Sequence, residues 1–307
     1  MASLRQGSVK LFNLEGVDLF LHWSWFFVAI IEIIDRASAY TFIFWNVLEY
    51  FTLFLIVMLH EYGHALACRQ VGGKVDRIVL WPLGGIAFVQ PPPRPGATLW
   101  SIAAGPLVNV ALTPVLGLAY FVARWGGLAT TAPDAYKFVK IILALNVFLL
   151  VFNLVPIYPL DGGQILRSLL WFAVGRTRSL KAVSVIGFLG VAGLTLIGVW
   201  LKDMTFGIIA VFILANCYSG LLQARNLARI GTVQRRGGLA CPNCGLAPPI
   251  GDFWLCQHCQ LKFDAFLNQA KCPLCLRRLE DIPCVDCDQS FPRDDWAAAA
   301  VVGAAGR

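Results

Sequence analysis

The stretch Tyr50-FTLFLIVML-HEYGH-ALA-Cys68, residues 50–68, sets His60, Glu61 and His64 inside an otherwise apolar run. Residues four apart share one face of a helix, so both imidazoles can reach a single metal ion. Glu61 stands beside them, where a carboxylate can take a proton from a metal-bound water. The apolar flanks put this helix in a bilayer, where two histidines and a glutamate are costly enough to mark a functional site. The pattern also turns up in unrelated sequences, so it does not decide the chemistry alone.

Composition agrees with a membrane chain. Of 307 residues, 58% are hydrophobic and 14% charged, and mean hydropathy is +0.67. Soluble domains carry about 25% charged residues. The N-terminal MASLRQGSVKLFNLEG shows no apolar core followed by a small-residue cleavage site, so no cleavable signal peptide is expected. The net charge of +7 does not point to nucleic acid, because the basic residues are spread over short loops.

Segments long enough to span a bilayer are expected at roughly 17–34, 42–67, 99–122, 138–158, 181–201 and 205–223, about six in all. The last two meet around Lys202-Asp203-Met204 and should form a tight helical hairpin. Counted by alternate sides, one set of loops holds fourteen Lys and Arg, including Arg69, Arg94, Arg167, Arg176, Arg225 and Arg236, and the other holds five. The positive-inside tendency puts the richer side, with both termini, in the cytoplasm. The plasma membrane is the expected location.

Between the second and third spans, Val75–Trp81 and Ile86–Val89 flank Pro82-Leu83-Gly84-Gly85 and read as a β-hairpin. A free strand edge beside a hydrolytic site could dock an extended peptide; the alternative is a plain connector. The expected fold is an all-α polytopic membrane protein, with about six transmembrane helices and this short hairpin, plus a small zinc-ribbon domain. Its parts are a six-span membrane domain over 1–223, a basic linker over 224–240, a double zinc ribbon over 241–291 and a disordered tail over 292–307.

Two histidines do not complete a catalytic zinc site, which commonly takes three protein ligands and a water. Asp161 stands out in Asn153-LVPIYPLDGGQILR, where Pro156 and Pro159 interrupt a helix and Gly162 and Gly163 let the backbone bend. Broken helices at membrane depth line cavities or lie buried in protein. The competing reading makes Asp161 an interfacial cap of the helix that follows. His22 reads as interfacial, with an extra ligand or gate residue as the alternative. Asn109 and Asn146 read as interhelical hydrogen bonds.

HEYGH and NLVPIYPLDGG together resemble the two signature motifs of the site-2 protease family, the intramembrane zinc metalloproteases. Ala104-Gly105-Pro106 and Leu19-Phe20-Leu21-His22-Trp23-Ser24 also look like that family, and the resemblance covers about residues 10–223. It implies a three-helix catalytic core made by the second to fourth spans. It implies that His60, His64 and Asp161 ligate zinc, that Glu61 is the general base and that Asn153 hydrogen-bonds the substrate backbone. The chain looks most like the compact six-span bacterial and archaeal branch, but it carries a cysteine-rich module where many members carry CBS or PDZ domains. The substrate implied is a transmembrane protein, met among membrane lipids.

Eight of ten cysteines form four C-x-x-C pairs: Cys241 and Cys244, Cys256 and Cys259, Cys272 and Cys275, Cys284 and Cys287. Successive pairs are separated by zinc-ribbon spacings, so the first two are expected to share one zinc and the last two another. His258 lies within a pair and is not expected to ligate. Disulfides are disfavoured by the cytoplasmic side, and metal would supply the folding energy of so small a module. Two four-thiolate sites would lower the net charge from +7 to about +3, which weakens a nucleic-acid reading further and favours a cytoplasmic protein partner. Cys68 and Cys217 read as small buried side chains.

Three functions compete: an intramembrane protease with one catalytic and two structural zinc ions, a non-enzymatic scaffold recruiting partners through the ribbons, and a zinc transporter or sensor. Glu61 separates them, since a scaffold has no need of it and a transit path would repeat ligands along several spans.

Overall fold

A computed structural model describes residues 7–81, 84–202, 204–287 and 289–305. The chain divides into two compact units, Met1–Cys217 and Tyr218–Arg307.

The first unit opens with a hairpin, not a membrane span. Strands β1 (Ser8–Leu14) and β2 (Val17–His22) pair antiparallel across Glu15-Gly16. Both turn residues have positive φ, 50° and 81°, as a two-residue hairpin turn matching the strand twist requires, and Asn13 Oδ1 accepts the Gly16 N–H at 2.9 Å. Along β2, Val17, Leu19 and Leu21 are buried while Asp18 and Phe20 are not, the alternation of a half-buried strand. Helix α1 (Ser24–Asp35) follows, with 12 residues. At about 18 Å it is short of a bilayer core of about 30 Å. The expected span over 17–34 is therefore a strand followed by a short apolar helix.

Helix α2 (Ile43–Gln70) carries HEYGH and leads into strands β3 (Lys74–Trp81) and β4 (Gly84–Gln90). The hairpin expected here is present, with Trp81 opposite Gly84; Pro82 and Leu83 of its turn lie outside the described residues. It is half of a larger sheet of order β1-β2-β3-β4, in which β2 and β3 run parallel. The sheet packs on α2 through Val17, Leu19, Leu21, Ile78 and Leu80 against Val57 and Ala65. Among the described residues, β4 pairs with one strand, β3.

The remaining helices are α3 (Pro95–Trp125), α4 (Leu128–Thr131), α5 (Pro133–Leu154), α6 (Asp161–Val174), α7 (Arg176–Leu201) and α8 (Met204–Thr232). Among the described residues, α2, α3, α5 and α7 are long and apolar enough to cross a membrane, and α8 contains a shorter apolar stretch, Ala210–Leu222. Helix α3 packs on α2, α5 and α6. Large apolar side chains such as Leu118, Phe121, Phe148, Leu189 and Leu196 point outward, whereas Asn46, Glu49, Ser101, Asn109, Asn146 and Ser168 are buried. Polar groups inside and apolar groups outside suit a lipid surround. Buried Glu49, for example, is held by Arg36 and by the Tyr40 hydroxyl. Helix α7 ends with Lys202 in the left-handed conformation; Asp203, on which the expected tight hairpin to α8 turns, lies outside the described residues.

Helix α8 runs on to Thr232, through half of the stretch expected to be a linker. The rest is tied to the second unit. Arg236 N–H donates to Pro248 O and Ile250 N–H to Gln234 O, each at 2.9 Å. Arg235 forks onto Asp286 at 2.6 and 3.0 Å, a bond that raises the guanidinium pKa further, and Arg236 meets buried Asp264 at 2.6 Å. Two small ribbons follow, β5 (Trp254–Leu255) with β6 (Lys262–Phe263) and β7 (Asp281–Pro283) with β8 (Ser290–Pro292). The tail expected to be disordered forms helix α9 (Arg293–Ala305). Its Trp296 is 1% exposed and packs edge-on against Phe266, which does the same to Trp254. One large aromatic anchors the helix where the composition suggested too little apolar surface.

Candidate metal centre

His60 and His64 lie one turn apart on α2 and are 6% exposed. Asp161 reaches them from the first turn of α6, after α5 has ended at Leu154. The N-cap position of α6 is taken by Leu160, and the Asp161 carboxylate is turned to the two histidines. The helix break brings this carboxylate in, and Gly162 and Gly163 serve it by smallness. A Cβ on Gly162 would lie 2.3 Å from Leu154 O, and one on Gly163 2.5 Å from the Ile157 carbonyl carbon.

The three side chains converge. His60 Nε2 lies 3.0 Å from Asp161 Oδ2, His64 Nε2 3.4 Å from the same oxygen, and the two Nε2 atoms are 3.2 Å apart. A tetrahedral zinc with bonds of about 2.0–2.1 Å has ligand atoms about 3.3 Å apart. The proton inventory points the same way. His64 Nδ1 is 2.9 Å from Ser101 O, which can only accept, and His60 Nδ1 is 2.6 Å from Asn109 Oδ1. Each neutral imidazole therefore spends its one N–H outward and turns a lone pair inward. Two lone pairs and a carboxylate oxygen in contact call for a cation. The donor set, two imidazoles and a carboxylate, suits zinc.

Glu61 is 7% exposed, directly after His60 and three residues before His64 in the chain. Its Oε2 accepts the Ala87 N–H of β4 at 3.1 Å. The strand thus fixes the carboxylate, and the hairpin lies against the site. Asn153 is half-buried near the end of α5, and among the described residues its side chain has no hydrogen-bond partner. His22 is not part of the cluster; it stacks on Trp81 at 4.1 Å and meets Ser24 Oγ at 2.6 Å. The sequence reading missed that Asn109, Ser101 O and the Ala87 N–H are the hydrogen-bond partners of His60, His64 and Glu61. The only signal for Asn109 was a lone amide in an apolar span.

Helix α3 approaches closely at Gly105, where a Cβ would lie 2.3 Å from His64 Nε2 and 2.8 Å from His60 Nε2. Gly105→Ala should therefore remove metal from this site while leaving the cysteine-bound metal in place, which metal analysis of the purified protein checks.

The cysteines pair differently from the expectation. One cluster is Cys241, Cys244, Cys284 and Cys287, the other Cys256, Cys259, Cys272 and Cys275. The second is nested inside the first, and the Trp254–Phe266–Trp296 stack lies between the ribbons as their common core. Sγ separations are 3.7 and 3.8 Å in the outer cluster and 3.5 Å twice in the inner. Disulfide sulfurs sit at about 2.05 Å, whereas the edge of a four-thiolate zinc site is about 3.8 Å. The backbone N–H groups of Cys259 and His258 pull the Cys256 thiol down. His258 is outside both clusters. Nesting makes a sharp prediction: Cys241→Ser with Cys284→Ser should cost one zinc, but Cys241→Ser with Cys256→Ser should cost two. Pairing of neighbours along the chain gives the reverse.

Peptidase family M50 matches residues 49–131 and 121–197, a range that holds both HEYGH and Asp161. The solved site-2 protease from Methanocaldococcus jannaschii is 30% identical, with a TM-score of 0.50, over 70% of this chain and 95% of that one. The chain belongs to the site-2 protease family, peptidase family M50. A zinc metalloprotease of the same archaeon is 32% identical over 228 residues, 74% of this chain. This chain spans 63% of that relative's length. Stage IV sporulation protein FB of Bacillus subtilis is 33% identical over 116 residues, 37% of each chain. As a member of the family with four long apolar helices, the protein is a membrane protein. The M50 match ends at residue 197, ahead of the cysteine clusters.

Proposed function

We propose that this protein is a zinc-dependent endopeptidase that cuts transmembrane segments of other membrane proteins. The observation that carries the reading is the convergence of His60, His64 and Asp161 as three acceptors around one point, with Glu61 beside them. Zinc held by these three would act as a Lewis acid, acidifying a bound water toward neutrality and polarising a carbonyl. Glu61 takes the proton of the attacking water and returns it to the leaving amine. The Ala87 N–H holds one carboxylate oxygen and leaves the other for the water. Buried surroundings limit bulk water at the site. Asn153, with its amide uncommitted, hydrogen-bonds the substrate backbone.

A helical amide is shielded by its own hydrogen bonds, so the substrate must be extended locally. Beside the Ala87 N–H that Glu61 holds, the edge of β4 away from β3 suits strand addition for that segment. One zinc serves this site and two serve the nested clusters, whose closed four-thiolate sets keep no position for water. The ribbons regulate access or dock a cytoplasmic protein; nucleic acid is not a partner. The stretches richest in Lys and Arg, with Arg69, Lys74, Arg77 and Arg94 at and beyond the end of α2 and Arg167, Arg176 and Lys181 beyond α5, favour the cytoplasmic side. Strand β2 pairs with β3 of the first of these stretches, which keeps the N-terminal hairpin on that side. The plasma membrane is the membrane we assign.

The test is reconstitution in liposomes with a panel of single-span proteins. Cleavage should stop when a chelator strips zinc and return when zinc is restored. Cleavage indifferent to chelation would refute the reading.

A further inference from the structure

Behind His60 lies a polar relay that reaches two helices away. Asn109 on α3 and Asn146 on α5 are both fully buried. Asn109 Oδ1 is 2.6 Å from His60 Nδ1, and Asn109 Nδ2 donates to Asn146 Oδ1 at 2.9 Å. Asn146 Nδ2 in turn donates to Asn109 O and to Thr113 Oγ1, each at 3.0 Å. Thr113 Oγ1 donates to the same Asn109 carbonyl at 2.8 Å.

The direction of this relay is fixed at its far end. The Asn109 backbone carbonyl can only accept, so the Asn146 group facing it is the NH₂. The Thr113 hydroxyl has given its one proton to that carbonyl, so toward Asn146 it too accepts. Asn146 must then present its oxygen to Asn109, which must answer with its own NH₂. The Asn109 oxygen is left facing His60. A donor is then required at Nδ1, and the lone pair of Nε2 is left for the metal.

We infer that Asn146 is a positioning residue that acts through Asn109 to hold His60 in its metal-binding tautomer. The inference rests on the metal site proposed above. It separates the two buried amides from ordinary interhelical contacts, which would be indifferent to donor order. An apolar residue at 146 leaves the Asn109 amide free to turn its NH₂ toward His60, where two donors would oppose each other. A neutral aspartic acid at 146 offers one donor and one acceptor in the same places and preserves the order. A carboxylate at 109 accepts from His60 whichever way it turns, so it removes the need for Asn146.

The experiment titrates zinc from the full-length protein with a graded chelator and follows the ion that His64→Ala abolishes. Losing a partner of this kind costs about 10–100-fold in metal affinity. Asn146→Leu should weaken that zinc about tenfold, Asn146→Asp should stay within about twofold of wild type, and the two ribbon zinc ions should not change. In the Asn109→Asp background, Asn146→Leu should have little further effect. Should Asn146→Leu fail to fold, Asn146→Ala takes its place against Asn146→Asp. Equal affinity in the apolar and aspartate variants would overturn the inference. So would an Asn146→Leu effect that persists in full beside Asn109→Asp, which would mark a packing role. If the wild type holds no zinc that His64→Ala removes, the metal site itself fails, and the inference with it.

Discussion

Glu61→Gln should leave one zinc at His60, His64 and Asp161 and reduce cleavage to near background. Gln fills the same volume, and its amide oxygen can still accept the Ala87 N–H, so the fold and the ligands are undisturbed. What is lost is a group able to take and return a proton. General acid–base groups contribute about 10²–10⁴ in rate, about 3–5 kcal/mol of barrier. Rates and zinc content measured on the same preparation separate the two effects. A variant with full zinc and nearly wild-type rate would show that Glu61 is not the base.

His64→Ala combined with Asp161→Ala should release one zinc per chain and end cleavage. Two of three ligands are gone, and His60 alone cannot hold the ion in competition with buffer. The four-thiolate clusters involve neither residue, so their metal is an internal control. Unchanged total zinc would mean that the convergence of these side chains does not serve a metal. Loss of all zinc would mean that the variant had unfolded.

The side chains that converge at the candidate metal centre were legible because their cost is visible in the sequence. His60, Glu61 and His64 interrupt an apolar run, and Asp161 stands in a segment that two prolines forbid from being a continuous helix. A charge in such a place needs a partner, and few candidates exist. Asn109 was read as an interhelical bond, but its role toward His60 was not, because one amide in a span says only that something must bond it. Which of its atoms faces His60 depends on Asn146, a helix away, and on its own backbone carbonyl. The N-terminal strand was hidden for a different reason. Val17, Leu19 and Leu21 run on into Trp25 and the apolar face of α1, and a hydropathy window cannot see period two inside a longer apolar stretch. The Glu15-Gly16 turn was the available clue. Cysteine pairing was not legible at all. Every C-x-x-C is chemically alike, and the outer cluster closes across about forty residues through the tertiary packing of Trp254, Phe266 and Trp296. The helical tail shows how little is needed to order a segment of alanines, the best helix formers, once Trp296 docks.

The central claim is that peptide bonds are cut at membrane depth by this His60, His64 and Asp161 centre with Glu61 as its base. Mapping the cut position by mass spectrometry tests it most directly, using the purified protein and Glu61→Gln side by side on single-span substrates in liposomes. The account predicts new termini within the substrate's apolar segment, formed by the wild type and absent with Glu61→Gln. Termini confined to extramembrane regions, or the same termini with both proteins, would contradict it.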